Sequence, residues 1–99
     1  MTAQLSRLNQ DLYCLQGLVL HDQASALAAR LPVASGKHLT IELGQAEGGT
    51  LLLLVLLDWL RQGTRRGVAL TFSNPSESLM KAAVLSGLDS LLPFSFPLR

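Results

Sequence analysis

Nine of the ten residues from Leu51 to Leu60 are apolar, within the stretch IELGQAEGGTLLLLVLLDWLRQG at positions 41–63. A run of this length is too short to span a bilayer, which takes about 20 apolar residues. Asp58, Arg61, Arg65 and Arg66 follow closely behind. The run is therefore read as a helix that must be buried by protein. At 100° per residue, Leu52, Leu53, Leu56, Trp59 and Leu60 share one face, suited to packing on a sheet. With Thr50 at zero, Leu54 falls near about 40° and Leu51 near about 100°, in the sector that also holds Asp58, Arg61, Gln62 and Arg65. The first half of the helix is thus apolar all round and its second half is amphipathic. Either a neighbouring helix or the C-terminal tail covers Leu51 and Leu54, or they wait for another protein's surface.

The chain has 99 residues, the size of one domain (1–99), with 48% hydrophobic and 15% charged residues. That composition excludes disorder. Five aromatics leave an aliphatic core. The net charge of +1 and the single adjacent basic pair, Arg65-Arg66, give no basic stripe for nucleic acid. One cysteine, Cys14, rules out an intrachain disulfide or a cysteine zinc site, and it reads as a small buried hydrophobe in a strand. The N-terminus MTAQLSRLNQ lacks an apolar signal core, so a soluble, cytoplasmic protein is expected.

Along the chain, AQLSRLNQDLYCLQGLVL reads as a hairpin, with Leu5 and Leu8 in its first strand, Leu12, Cys14 and Leu18 in its second, and Asn9-Gln10-Asp11 as the turn. Asp22 is a candidate N-cap for a helix whose face is Ala24, Leu27, Ala28 and Leu31, ended by Pro32. HLTIELG alternates as a strand, QAEGG reads as a turn, and the leucine helix runs from about Gly49 to Gln62 with Gly63 as its stop. GVALTFSN is a strand. In NPSESLMKAAVLSG, Asn74 reads as the cap, Pro75 as the first helical residue and Glu77 as the partner in a capping box. Leu79, Ala82, Ala83 and Val84 form its buried face, and Gly87 ends it. The order is β-β-α-β-α-β-α with a final short strand or coil. This implies an α/β domain with a mixed sheet of four or five strands.

This order of elements, the glycine turn before the leucine helix, and SNPSESLMKAAVLSGLDSLLPF with its Pro75, Gly87 and Leu88 together resemble a STAS domain, the small domain of anti-sigma-factor antagonists and sulfate-transporter tails. The resemblance implies helices mostly on one face of the sheet. Within that family, EGGTLLLLVLLDWL is similar to the glycine loop, leucine helix and aspartate of the short STAS subunit of bacterial phospholipid-transport ABC systems. The resemblance implies a non-enzymatic accessory protein that binds the transporter's cytoplasmic ATPase through this helix and the loop before it. The contact would comprise Glu47, Gly48, Gly49, Thr50, Leu51, Leu54, Asp58 and Arg61, with the two leucines as anchors and Asp58 and Arg61 on the rim. The alternative is an anti-sigma-factor antagonist whose partner is an anti-sigma kinase.

The chain departs from the family pattern at the switch. Aligned on Gly49, the family's aspartate, hydroxyl residue and phosphorylatable serine fall at Ala46, Glu47 and Gly48. Thr50 is the one nearby hydroxyl. A switch that adds phosphate charge at a helix start has lost its serine, and Glu47 supplies a fixed charge instead, either for binding or simply for the helix terminus. This favours constitutive binding. No catalytic or cofactor pattern stands out. GQAEGGT lacks the lysine of a phosphate loop, His21 and His38 have no metal spacing, and no Gly-x-Ser-x-Gly elbow occurs. Pairing of the apolar patch in a homodimer remains open.

Overall fold

The computed structural model describes residues 3–29 and 36–95. Its elements are β1 (Gln4–Asn9), β2 (Leu12–Leu18), α1 (His21–Ala29), β3 (His38–Glu47), α2 (Gly49–Arg66), β4 (Ala69–Ser73), α3 (Glu77–Leu85) and β5 (Phe94–Ser95). They form one five-stranded sheet in the order β1-β2-β3-β4-β5. The β1–β2 hairpin is antiparallel and the remaining pairs are parallel. Each parallel step moves the chain one strand in the same direction. Right-handed crossovers then place every connecting helix on the same face. The mixed sheet, the element order and the one-sided helices agree with the sequence expectation.

The hairpin turns where expected, with Asn9 Oδ1 accepting the Asp11 amide at 3.0 Å. Arg7 braces it, donating to the Asn9 and Gln10 carbonyls at 3.2 Å each while its guanidinium lies over the Tyr13 ring. Leu39, Ile41 and Leu43 of β3 point into the core with Leu15, Leu70 and Phe72 from its neighbours. Leu52, Leu53, Leu56 and Trp59 of α2 close over them.

QAEGG is a turn only at its glycines. Cys14 and Gln16 of β2 face Glu42 and Gln45 of β3, so β3 carries one extra residue there, a β-bulge. The bulge flips the side-chain parity, which puts Ala46 in the core and carries the strand on to Glu47. Glu42 holds the bulge by accepting the Gly44 amide through its side chain. A Cβ at Gly44 would lie 2.7 Å from both the Asn74 amide nitrogen and that carboxylate.

Helix ends also shift from expectation. Gly63 does not stop α2. It lies buried within it, where a Cβ would meet the Val68 carbonyl at 3.0 Å, so its absent side chain lets β4 approach. Gly67, left-handed at φ 71°, is the stop, and the Val68 amide closes the end onto the Gly63 carbonyl at 2.8 Å. For α3 the cap is Ser76, whose hydroxyl accepts the Leu79 amide at 3.3 Å, while Asn74 sits two residues outside at φ 53°. Gly87 ends α3 as expected, with the Leu88 amide on the Ala83 carbonyl. Leu79 and Ala83 are buried and Ala82 partly so, but Val84 faces solvent. For α1, Asp22 lies inside the first turn and Leu20 precedes the helix. Gln23 Oε1 reaches back to the Leu20 and Ala3 amides. Ala24, Leu27 and Ala28 are half-buried, while Leu31 and Pro32 lie outside the described residues.

Cys14 is buried as expected, at 8% exposure, but outside the main core cluster and opposite Glu42. Burial raises its thiol pKa, the Glu42 carboxylate adds to the rise, and a hydrogen bond with Gln16 opposes it. An unfolded thiol ionises near about 8.5, so the folded chain keeps its proton to higher pH. Stability is then undiminished below that value and declines as pH climbs above it. Urea denaturation at pH 7 and pH 10 should show this decline, and Cys14→Ala should lessen it. Labelling of Cys14 by a thiol reagent at pH 8 should be slow until the chain is unfolded.

Candidate functional surface at the start of helix α2

The two glycines before the leucine helix answer a geometric demand. β3 delivers the chain beside the end of β2, where the Val19 amide donates to the Glu47 carbonyl at 2.8 Å. The chain then turns sharply into α2. Gly48 has φ 149° and Gly49 φ 51°, both in the region that favours glycine. A Cβ at Gly48 would also lie 3.0 Å from Val19 Cβ and 3.3 Å from Leu52 Cβ. The helix begins with the Leu51 and Leu52 amides on the Gly48 carbonyl and has no side-chain cap.

Glu47 and Thr50 flank this turn, and both are exposed. Among the described residues neither side chain makes a hydrogen bond or ion pair, so Glu47 does not cap the helix directly. The electrostatic effect of its charge on the helix start remains. One turn further on, Leu54 is 51% exposed. Leu51 is half-buried and packs against the core.

The helix α1 accounts for that difference. It lies along the side of α2 where Leu51, Val55 and Gln62 project. Val55, at about 140° on the wheel between the polar sector and the sheet face, is fully buried there. Gln62 Nε2 donates to the Ala28 carbonyl at 2.6 Å and Trp59 Nε1 to the Leu27 carbonyl at 2.7 Å. These are carbonyls of the last turn of α1, which lack partners within their own helix. Cover by a neighbouring helix thus holds for Leu51 in part, while Leu54 stands beyond its reach.

Between α1 and α2 runs an open cleft. Its first part, about 260 Å³, is bounded by His21, Ala24 and Ser25 on one side and Leu51, Leu54 and Asp58 on the other. Its second part, about 620 Å³, shares Ser25, Ala28 and Asp58 and extends to Arg61 and Arg65. Asp58 and Arg61 form an ion pair at 3.4 Å, well exposed to water and worth well under about 1 kcal/mol. Of the expected contact residues, Leu51, Leu54, Asp58 and Arg61 therefore lie along this cleft, and Glu47 to Thr50 form the turn at its head. The α1 wall is not apparent from the sequence pattern, where its small residues count only as a weak core face. A second apolar surface also goes unsignalled. On α3, Met80, Val84 and Leu85 line a hollow of about 430 Å³, with Val84 58% and Leu85 89% exposed.

No group of three or more histidine, cysteine or acidic side chains able to hold a metal occurs among the described residues. None of their helices is long and apolar enough to cross a membrane.

No protein-family model matches the chain, and no curated protein matches it by sequence. Among solved structures it is similar to the anti-sigma factor antagonist SpoIIAA in its unphosphorylated form. The TM-score is 0.73 at 14% identity, over 99% of this chain and 90% of that one. The shared architecture is the STAS fold, with its five-stranded mixed sheet and three helices.

Proposed function

We propose that the chain is a non-enzymatic binding subunit that docks the head of α2 onto the cytoplasmic ATPase of a lipid-transporting ABC complex. The observation that carries this reading is Leu54, half-exposed on the first turns of a leucine helix. Before it in the chain come exposed Glu47 and Thr50, whose side chains make no hydrogen bond or ion pair among the described residues. A large apolar side chain ringed by polar groups is the usual form of a binding anchor. The likeness of EGGTLLLLVLLDWL to the small subunits of phospholipid-transport systems supplies the partner class. Placed at the inner face of a membrane by that partner, the subunit needs no anchor of its own.

The fold shared with SpoIIAA supports a second reading, an anti-sigma-factor antagonist bound by a kinase. Against it stands the start of α2, where the family pattern aligned on Gly49 puts its phosphorylatable serine at Gly48. Thr50 is the nearest exposed hydroxyl.

Purification of the tagged chain from the cells that produce it separates the two readings. The expected companion is an ABC-type ATPase. Recovery of a sigma-regulating kinase that phosphorylates Thr50 would overturn the transporter reading.

A further inference from the structure

We infer that the α1–α2 cleft receives a helix of the partner, apolar at one end and acidic at the other. The inference rests on the proposed docking of α2 and specifies what occupies the surface beside it. From Leu51 to Arg65 the cleft follows 15 residues of α2, a rise of about 21 Å at 1.5 Å per step, which matches three to four turns of a helix. Its α1 side is built from Ala24, Ser25, Ala28 and Ala29, small side chains that let a third helix approach closely.

The chemistry changes along its length. The head is apolar along α2, where Leu51 and Leu54 face His21 and Ser25 of α1. The tail presents Arg61 and Arg65. Asp58 is paired with Arg61, and among the described residues no carboxylate pairs with Arg65. Counting Asp58, Arg61 and Arg65, the cleft carries a surplus of one positive charge at its tail. An occupant with leucine-like side chains at the head and carboxylates at the tail satisfies both halves, and the reversed occupant satisfies neither. Arg65 is then the specificity determinant and Leu54 the anchor shared with the proposed interface.

The test uses two fluorescein-labelled helical peptides of about 16 residues on an alanine–glutamine background, about the length of the cleft. One has two leucines at one end and three glutamates at the other. The second has lysines in place of the glutamates. Fluorescence anisotropy is measured with the full chain as wild type, Arg65→Glu and Ser25→Tyr. The wild type should bind the glutamate peptide about tenfold or more tightly than the lysine peptide, and Arg65→Glu should reverse that order. Ser25 is exposed and shared by both parts of the cleft. Ser25→Tyr should therefore weaken both peptides with an unchanged urea midpoint. Equal affinities, indifference to Arg65→Glu, or no binding of either peptide would overturn the inference. If the ATPase still copurifies with the wild type and is lost with Leu54→Asp, that failure belongs to the cleft alone. Peptide discrimination without a copurifying ATPase would instead remove only the transporter reading.

Discussion

Leu54→Asp should abolish capture of the ATPase while leaving the isolated chain as stable as the wild type. Half-exposed in the free chain, Leu54 contributes little to its core, and a carboxylate there remains hydrated. At an interface the same carboxylate would be buried without a partner, while the apolar contact is lost. Anchors of this kind are worth about 2 kcal/mol or more, a loss of about 30-fold in affinity before the desolvation cost is added. Asp58→Ala and Arg61→Ala remove an exposed ion pair and should each change affinity by less than about fivefold. Isothermal titration with purified ATPase gives the ranking, and urea denaturation of each variant gives the control. Rim substitutions that weaken binding more than Leu54→Asp would place the contact elsewhere. Leu51→Asp is a poorer probe, because Leu51 packs against the core and its loss would also lower stability.

The largest effect on stability should follow Trp59→Ala. Trp59 is fully buried, the one tryptophan of the chain, and its Nε1 donates to the Leu27 carbonyl. Truncation leaves a cavity and an unpaired carbonyl together, a loss of about 3–5 kcal/mol. Against the roughly 5–15 kcal/mol typical of whole domains, that is a fifth or more of the total. Trp59→Phe keeps most of the volume and loses the donor, so about 1–3 kcal/mol is expected. The shift should appear in urea midpoints followed by far-UV circular dichroism, since the mutations remove the fluorophore. A change below about 1 kcal/mol for Trp59→Ala would mean that α1 is not pinned to α2 through this side chain. Because α1 forms one wall of the cleft, the same variant should weaken partner binding in proportion to the loosening of α1.

The elements with a strong period were legible. The leucine helix, the alternation from Leu39 to Leu43 and the glycine stop at Gly87 each carry a local physical signal that the tertiary structure does not override. What was hidden depends on neighbours distant in sequence. The extension of β3 to Glu47 needs the bulge at Gly44, which is set by pairing with β2. Gly63 looks like a stop because glycine is weak in helices. Its actual reason is the close approach of β4, which lies later in the chain. Asn74 and Ser76 both qualify as caps by residue type, and backbone geometry decides for Ser76. On α2 the wheel singles out Leu51 and Leu54 without saying which is covered. The position of α1 separates them, and it also covers Val55 at the border of the polar sector. The stripe of half-buried Met80 with exposed Val84 and Leu85 was hidden because the sequence reading put Val84 on the inward face, although five residues from Leu79 turn it about 140° away.

That stripe supplies the sharpest control, since among the described residues both α2 and α3 bear exposed apolar side chains. A photoreactive benzoylphenylalanine placed at position 54 or at position 84 reports which surface meets the ATPase. Irradiation of the purified complex should give a cross-linked product from position 54 and none from position 84. A product from position 84 alone would contradict the docking of α2 and move the interface to α3.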